Sequence, residues 1–261
     1  MRITADSTSD GVRERHFTVD DVPGVLWSPA NTADGRPLIL LGHGGGQDRA
    51  SPGIRARARR YATACGFASA AIDAPGHGNR SRTDEDERFG AEIAARRAAG
   101  EPVLPIIVRR NAVLADRAVP EWRAALDAIS QFEGSGLGHV GFWGVSLGTA
   151  IGIPFVAAEP RITAAVFGLA GRENLAAAAA RIAIPVEFLL QWDDELVPRA
   201  SGLALFDAFA SAEKTLHANP GLHASVPGFE LDSSQRFFTR HLMSGAGPAT
   251  ATQFGAAART G

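Results

Sequence analysis

Short apolar segments alternate along the chain with longer segments of helical periodicity. The segments RHFTV (15–19) and GVLWSP (24–29) are rich in β-branched and aromatic residues, and turn residues between them predict two early strands. Further strands are predicted at 37–44, 67–76, 139–143, 162–169, 185–192 and 214–218. Most of these are continuous apolar runs, which is typical of strands that are buried on both faces.

Helices are predicted between these strands, at Pro52–Cys65, 119–129, 147–158, Arg199–Phe209 and 232–243. In the segment 119–129, Trp122, Leu126 and Ile129 recur at helical spacing. Strands that alternate with helices indicate an α/β fold with a mostly parallel sheet and helices on both faces. We expect residues 1–243 to form one domain and the small, polar tail 244–261 to be disordered.

The composition excludes several classes of function. The 261 residues carry 26 basic and 28 acidic side chains, so no strong net charge favours nucleic acid or an anionic membrane as a partner. The chain starts without the pattern of a secretory signal, and its one cysteine allows no internal disulfide, so we expect a cytoplasmic protein. No Cys/His cluster has metal-ligand spacing and no phosphate-binding glycine loop is present, so we predict no metal and no cofactor.

One uncharged stretch, 134–158, is long enough to cross a bilayer. It contains seven glycines and Pro154, and it reads better as a strand, a tight turn and a helix. We therefore expect no membrane segment. The turn holds Ser146 between Gly144 and Gly148, at the carboxyl end of a strand, where open α/β sheets place their ligands.

A serine hydroxyl becomes a nucleophile when a base lies beside it and a third group holds that base. Two later loops at the same edge of the sheet supply candidates. QWDDELVP offers Asp193 and Asp194, and NPGLHASVP offers His223, whereas His217 lies inside the preceding strand. The glycine run GHGGG (42–46) ends strand 37–41 at this edge and offers backbone N–H groups.

Together these motifs resemble the α/β-hydrolase superfamily, and within it the dienelactone-hydrolase-like or esterase-like members. The resemblance covers residues 15 to about 243 and implies an eight-stranded type of sheet. It assigns Ser146 as the nucleophile, Asp194 rather than Asp193 as the acid, and His223 as the base. By the same resemblance, the N–H groups of Gly45 and Leu147 form the oxyanion hole.

Dienelactone hydrolases use a cysteine nucleophile, and this chain has a serine, which favours an ordinary serine esterase acting on a small acyl substrate. Thioesterase, amidase or carbon–carbon bond hydrolase activity would use the same triad and remains an alternative. A catalytically inactive small-molecule-binding homologue is a further alternative. The sequence leaves the oligomeric state open.

The stretch 81–118 is longer than the connection that the sheet requires. Its run VLPIIV (103–108) places Ile106 and Ile107 in an apolar segment that must be buried. Two interpretations remain open: an ordinary outer helix, or a small cap over the acyl pocket, which would bring both isoleucines close to Ser146.

Overall fold

The structure is a computed structural model that describes residues 1–31, 35–133 and 137–243. The predicted disordered tail, 244–261, lies outside the described residues. The prediction of one domain over 1–243 stays a prediction.

Within these described ranges, nine strands form a single sheet in the order β1-β2-β3-β5-β4-β6-β7-β8-β9. From β5 to β9 neighbouring strands are parallel, and β1, β2 and β3 add an antiparallel edge. The mostly parallel α/β sheet is therefore confirmed. The strands are β1 (Arg2–Ser9), β2 (Val12–Val19), β3 (Val22–Pro29), β4 (Arg36–Gly42), β5 (Ala68–Ile72), β6 (Leu137–Gly144), β7 (Ile162–Gly168), β8 (Val186–Gln191) and β9 (Lys214–Asn219).

Strand β1 was not predicted from the sequence, and it adds a ninth strand to the expected eight. It lies at the sheet edge and is exposed along most of its length, so it has no apolar face that a pattern could reveal. Its turn into β2 is formed by Asp10 and Gly11, both with positive φ. An Asp-Gly pair is a strong hairpin signal, and it was the available clue to this strand.

Helices cover both faces of the sheet. On one face lie α3 (Leu104–Glu133), α4 (Leu147–Ala158), α5 (Ala176–Ala179) and α6 (Arg199–Ala208); on the other lie α1 (Pro52–Cys65) and α7 (Glu230–Met243). Helix α2 (Asp84–Ala98) packs on α3. Each face has its own apolar core, and α4 is buried along nearly its whole length.

Helix α3 is much longer than the predicted helix 119–129. The sequence favours a start near Pro120, because proline is well tolerated in the first turn of a helix. The structure instead continues the helix through Pro120 over 30 residues. Leu114, Ala118, Trp122 and Leu126 follow one another every fourth residue and are buried against the core shared with α4, so tertiary packing outweighs the local effect of the proline.

Among the described residues, no helix is both long enough and apolar enough to cross a membrane. Apart from residues 134–136, which are not described, the uncharged stretch forms strand β6, the turn at Ser146 and helix α4.

Candidate active site

Ser146 lies in the sharp turn between β6 and α4. Its backbone has φ 56° and ψ −116°, a conformation that L-residues other than glycine rarely adopt. The turn requires small neighbours: a Cβ on Gly148 would lie 2.4 Å from the carbonyl oxygen of Gly42, and one on Gly144 would lie 2.7 Å from the carbonyl oxygen of Gly148. The two glycines therefore allow β4, β6 and α4 to approach closely, and the strained turn presents Ser146 above the sheet.

Thr149 holds this turn in place from below. Its side chain is fully buried, and its Oγ1 lies 2.8 Å from the carbonyl oxygen of Gly144 and 2.7 Å from that of Gly168, to which it donates. The same Oγ1 accepts from the N–H of Gly168 at 2.8 Å. The carbonyl of Gly168 also accepts from the N–H of Ser146 at 2.9 Å. The hydroxyl of Thr149 thus links the end of β6 to the end of β7, and the Gly168 peptide that it contacts also binds Ser146.

The structure brings Ser146, His223 and Asp194 together from three loops. His223 Nε2 lies 3.0 Å from Ser146 Oγ, and His223 Nδ1 lies 2.7 Å from Asp194 Oδ2. These distances allow Nδ1–H to donate to the carboxylate while Nε2 accepts from the serine hydroxyl. The chain of hydrogen bonds is the one that nucleophile activation requires, although the catalytic roles of these residues stay a prediction.

Asp194 and Asp193 differ in their surroundings. Asp194 Oδ1 accepts from the N–H groups of Leu196 and Val197, each at 2.8 Å, and its side chain is almost completely buried. Burial by itself would raise the pKa of Asp194, but the hydrogen bonds from His223 and from the two amides outweigh it and lower the pKa. Asp193 is exposed and accepts only from the N–H of Gly221, at 3.2 Å.

The predicted oxyanion donors, Gly45 and Leu147, both line the cavity that contains Ser146. Within the part of the chain that the structure describes, neither amide N–H has a protein acceptor. Leu147 is the first residue of α4, where amide groups have no partner within the helix. Both N–H groups are therefore free to donate to a ligand.

His43 braces the glycine run rather than facing the serine. Its Nδ1–H donates to the carbonyl of Gly44 at 2.9 Å, and its Nε2 accepts from the N–H of Ala74 at 3.0 Å. Burial lowers the pKa of His43, which keeps the ring neutral in this role. The ring of His77 lies beside it, with the centroids 5.4 Å apart. The loops after β4 and β5 are thereby tied together.

A cavity of about 550 Å³ opens above Ser146 and His223. Helix α2, the first half of α3 and the segment before α5 form its walls. Ile107 lines the cavity, as the cap interpretation expects, but Ile106 does not: it is only 2% exposed and turns away from the cavity. The expectation that both isoleucines face the acyl pocket is wrong for Ile106, because adjacent residues of a helix point in directions about 100° apart. Whether the stretch acts as a cap stays a prediction.

The loop that carries His223 has its two ends joined by Glu230, the first residue of α7, which contacts the end of β9. This carboxylate, 1% exposed, accepts from Asn219 Nδ2 at 2.8 Å and pairs with His217 Nδ1 at 2.9 Å. His217 is therefore engaged at the base of the loop, away from Ser146. The buried Glu187 faces the same ring, and burial raises the pKa of Glu187 to about 7.

Sequence reasoning missed the parts of the site that come from distant segments. Thr149 could not be predicted as part of the site, because a single threonine inside an apolar helix belongs to no recognisable sequence motif. Arg110 and His77 also line the cavity, and the sequence analysis assigned neither of them to the site. The apolar run 103–108 was the one clue to the wall formed by α3.

The fold is similar to that of known hydrolases in solved structures. A novel cold-adapted esterase from an Arctic intertidal metagenomic library, in a PEG-bound complex, is 35% identical with a TM-score of 0.75, covering 93% of this chain and 100% of that chain. Dienelactone hydrolase from Anabaena variabilis is 21% identical with a TM-score of 0.60, covering 88% and 99%. A predicted CIB-like hydrolase from Thermoplasma acidophilum is 17% identical with a TM-score of 0.62, covering 90% and 100%; these last two similarities support the fold alone.

No protein-family model matches the chain, and a search among curated proteins finds no match.

Proposed function

The chain belongs to the α/β-hydrolase superfamily, and we propose that it hydrolyses carboxylic esters of small molecules through an acyl-enzyme on Ser146. The observation that carries this proposal is the hydrogen-bonded series Ser146–His223–Asp194 beneath a cavity of about 550 Å³. A cavity of this size accommodates a small molecule. The similarity to an esterase at 35% identity over nearly the whole chain supports the choice of ester substrates.

In the proposed acylation step, His223 Nε2 takes the proton from Ser146 Oγ as the oxygen attacks the ester carbonyl. The N–H groups of Gly45 and Leu147 donate to the oxyanion that develops, and a donor in this position contributes about 3 kcal/mol in serine hydrolases. His223 then passes its proton to the leaving alcohol. Asp194, kept ionised by its lowered pKa, stabilises the imidazolium and holds its tautomer.

In the proposed deacylation step, water replaces the alcohol. His223 Nε2 takes a proton from the water, the hydroxide attacks the acyl carbonyl, and the same two N–H groups hold the second oxyanion. The proton returns to Ser146 Oγ as the carboxylic acid leaves. These steps use side chains and backbone amides of the chain alone and call for no cofactor.

The nucleophile is tested with Ser146→Ala and an activated ester such as p-nitrophenyl butyrate. We expect this variant to lose hydrolysis by several orders of magnitude while its thermal unfolding stays close to that of the wild type. Ser81→Ala, which removes an exposed hydroxyl outside the cavity, is the matched control and should keep full activity. A fluorophosphonate should label the wild type once, at Ser146; labelling elsewhere contradicts the assignment.

The bond type is tested by a panel of p-nitrophenyl ester, thioester and anilide substrates with the same acyl group. The proposal expects the ester to be hydrolysed with the highest kcat/KM relative to its uncatalysed rate. A higher acceleration for the thioester or anilide would replace the esterase assignment and leave the triad in place.

A cytoplasmic location also stays part of the proposal, resting on the single cysteine.

A further inference from the structure

Arg110 is a positively charged side chain in the wall of the cavity that contains Ser146. It lies on α3 in the series Ile107, Arg110, Asn111 and Leu114, whose spacing of three and four residues places them on one face of the helix, and all four line the cavity. The first half of α3 therefore presents one guanidinium within an otherwise largely apolar stripe of the cavity wall.

This guanidinium has no hydrogen-bond acceptor and no ion-pair partner among the residues that the structure describes. Its Nε is buried without a partner. Other partly buried arginines of the chain are paired: Arg80 binds Glu121 through two short contacts of 2.6 and 2.7 Å, and Arg49 binds the buried Asp73. Arg49 also has an unpartnered Nε, but its Nη1 is paired, whereas no guanidinium nitrogen of Arg110 has a partner among the described residues. An unsatisfied guanidinium in a site of reduced solvent access is costly.

Asp86, a buried carboxylate in the neighbourhood of Arg110, does not supply the missing partner. Asp86 lies close enough to Arg110 for its pKa to be affected, but its carboxylate already accepts from the backbone and side chain of Thr83 and pairs with Arg117 at 3.6 Å. The Asp86 carboxylate is thus engaged by Thr83 and Arg117 and has no hydrogen bond or ion pair with Arg110.

The remaining charged groups of the cavity lie at exposed positions. These are Arg97, Asp116 and Glu173, and Glu173 is occupied by a hydrogen bond of 2.6 Å from Ser201. Because no carboxylate in the described part of the chain pairs with Arg110, a ligand in the cavity is the natural source of its partner. A planar guanidinium matches a carboxylate with two parallel hydrogen bonds.

We propose that Arg110 binds a carboxylate of the substrate, so that the preferred substrate is an ester that carries a second, ionised carboxylate group. This inference rests on the proposed function, since it names the substrate class of the same site. The carboxylate is a spectator: hydrolysis of the ester bond by water releases an alcohol and an acid, and the group bound to Arg110 leaves unchanged.

The test compares an anionic with a neutral substrate of matched size. On the acyl side the pair is p-nitrophenyl glutarate and its methyl ester; on the alcohol side it is 4-acetoxybenzoate and its methyl ester. We expect kcat/KM of the wild type, corrected for the uncatalysed rate, to favour the anionic member in one pair by about 10- to 100-fold, the range for a charge-assisted hydrogen bond. The pair that shows the preference identifies the side of the ester that lies against α3.

Variants then assign the preference to this side chain. Arg110→Met should remove most of it, lowering the anionic-to-neutral ratio of kcat/KM toward one, mainly through a higher KM for the anionic ester. Arg110→Lys should restore part of it, because an ammonium keeps the charge and loses the bidentate geometry. Arg109→Met is the matched control: this neighbour is exposed, pairs with Glu92 outside the cavity lining, and should keep the preference.

A measurement on the unaltered protein does not depend on any variant folding. Glutarate should inhibit hydrolysis of the neutral ester competitively and at least about tenfold more strongly than butyrate at equal ionic strength. The inference is overturned if the wild type prefers neither anionic ester and glutarate inhibits no better than butyrate, or if Arg110→Met keeps the preference. Hydrolysis of neutral esters would persist in each of these cases, whereas a wild type without any ester hydrolysis would refute the proposed function itself.

Discussion

Replacing Thr149 by valine tests whether a buried hydroxyl holds the serine turn in its strained conformation. Valine has nearly the same shape, so the change removes hydrogen bonds without opening a cavity. Thr149 Oγ1 accepts from the N–H of Gly168 at 2.8 Å and donates toward the carbonyls of Gly144 and Gly168 at 2.8 and 2.7 Å. Each of these contacts is lost.

The expected cost follows from what each backbone group keeps. The carbonyl of Gly168 keeps the hydrogen bond from Ser146 N–H at 2.9 Å, so its loss is small. The N–H of Gly168 loses its hydroxyl partner in a fully buried place, and an unsatisfied buried group costs about 1–3 kcal/mol. With the bond donated by the hydroxyl, worth about 1 kcal/mol, the free energy of unfolding should fall by about 2–4 kcal/mol. For a domain of this size that lowers Tm by roughly 5–15 °C.

Activity should fall as well, because the peptide of Gly168 also holds Ser146. A small displacement of the nucleophile lowers kcat by about 10- to 100-fold, whereas KM should change little, since the cavity lining is untouched. The assays are urea unfolding followed by circular dichroism and steady-state hydrolysis of p-nitrophenyl butyrate. Thr149→Ser is the matched control: it keeps the hydroxyl, loses one methyl group at about 1 kcal/mol, and should retain kcat.

Two results would refute the reasoning. Equal stability of Thr149→Val and Thr149→Ser would mean that the hydroxyl contributes nothing beyond packing. A valine variant with the expected loss of stability but an unchanged kcat would mean that the turn keeps its geometry without Thr149.

Three further predictions concern the acid, the cavity wall and the buried carboxylate. Asp194→Asn should lower kcat by about 10⁴-fold, because His223 loses the partner that sets its tautomer. Asp193→Asn, at an exposed position, should keep near-normal activity. The reverse result would identify Asp193 as the acid. Ile107→Ala should change the ranking of p-nitrophenyl esters from acetate to octanoate, whereas Ile106→Ala should leave that ranking and lower the free energy of unfolding by about 2–4 kcal/mol; a shifted ranking in the second variant contradicts this division. Burial raises the pKa of Glu187 from 4.5 to about 7, so the contribution of its protonated form to stability is fully present below pH 4.5 and is lost as the pH rises through about 7. In urea unfolding, the free energy of unfolding of Glu187→Gln should therefore rise relative to that of the wild type by up to about 3 kcal/mol between pH 5 and 8. Parallel pH profiles of the two proteins would contradict this prediction.

The alternation of helices and strands could be predicted from the sequence because it is a local property. Strands buried on both faces, such as β4 and β8, read as continuous apolar runs, and α1 was predicted at the bounds that the structure has. The turn at Ser146 was equally visible, since its glycines are required by contacts within a few residues and by one neighbouring strand. These features depend on spacing along the chain, which the sequence displays directly.

Features without a local signal escaped prediction. Strand β1 has no buried face, and its only clue was the Asp-Gly turn. The start of α3 was misplaced because Pro120 indicates a helix start by itself, whereas the packing of the whole apolar stripe extends the helix. The choice of Asp194 over Asp193 came from resemblance to a family, since two adjacent carboxylates are equivalent until a fold buries one of them.

The sequence by itself determined the fold class, the serine turn and the order in which Ser146, Asp194 and His223, the proposed nucleophile, acid and base, follow one another. Only the tertiary structure decided which groups meet: Ser146 and His223 are 77 positions apart in the chain, with their side chains 3.0 Å apart. It also decided that Arg110 lines the cavity without a partner, while the adjacent Arg109 is paired outside it. The physical reason is that periodicity reports which face of an element is buried, whereas the partner of a polar group depends on elements far away in the chain.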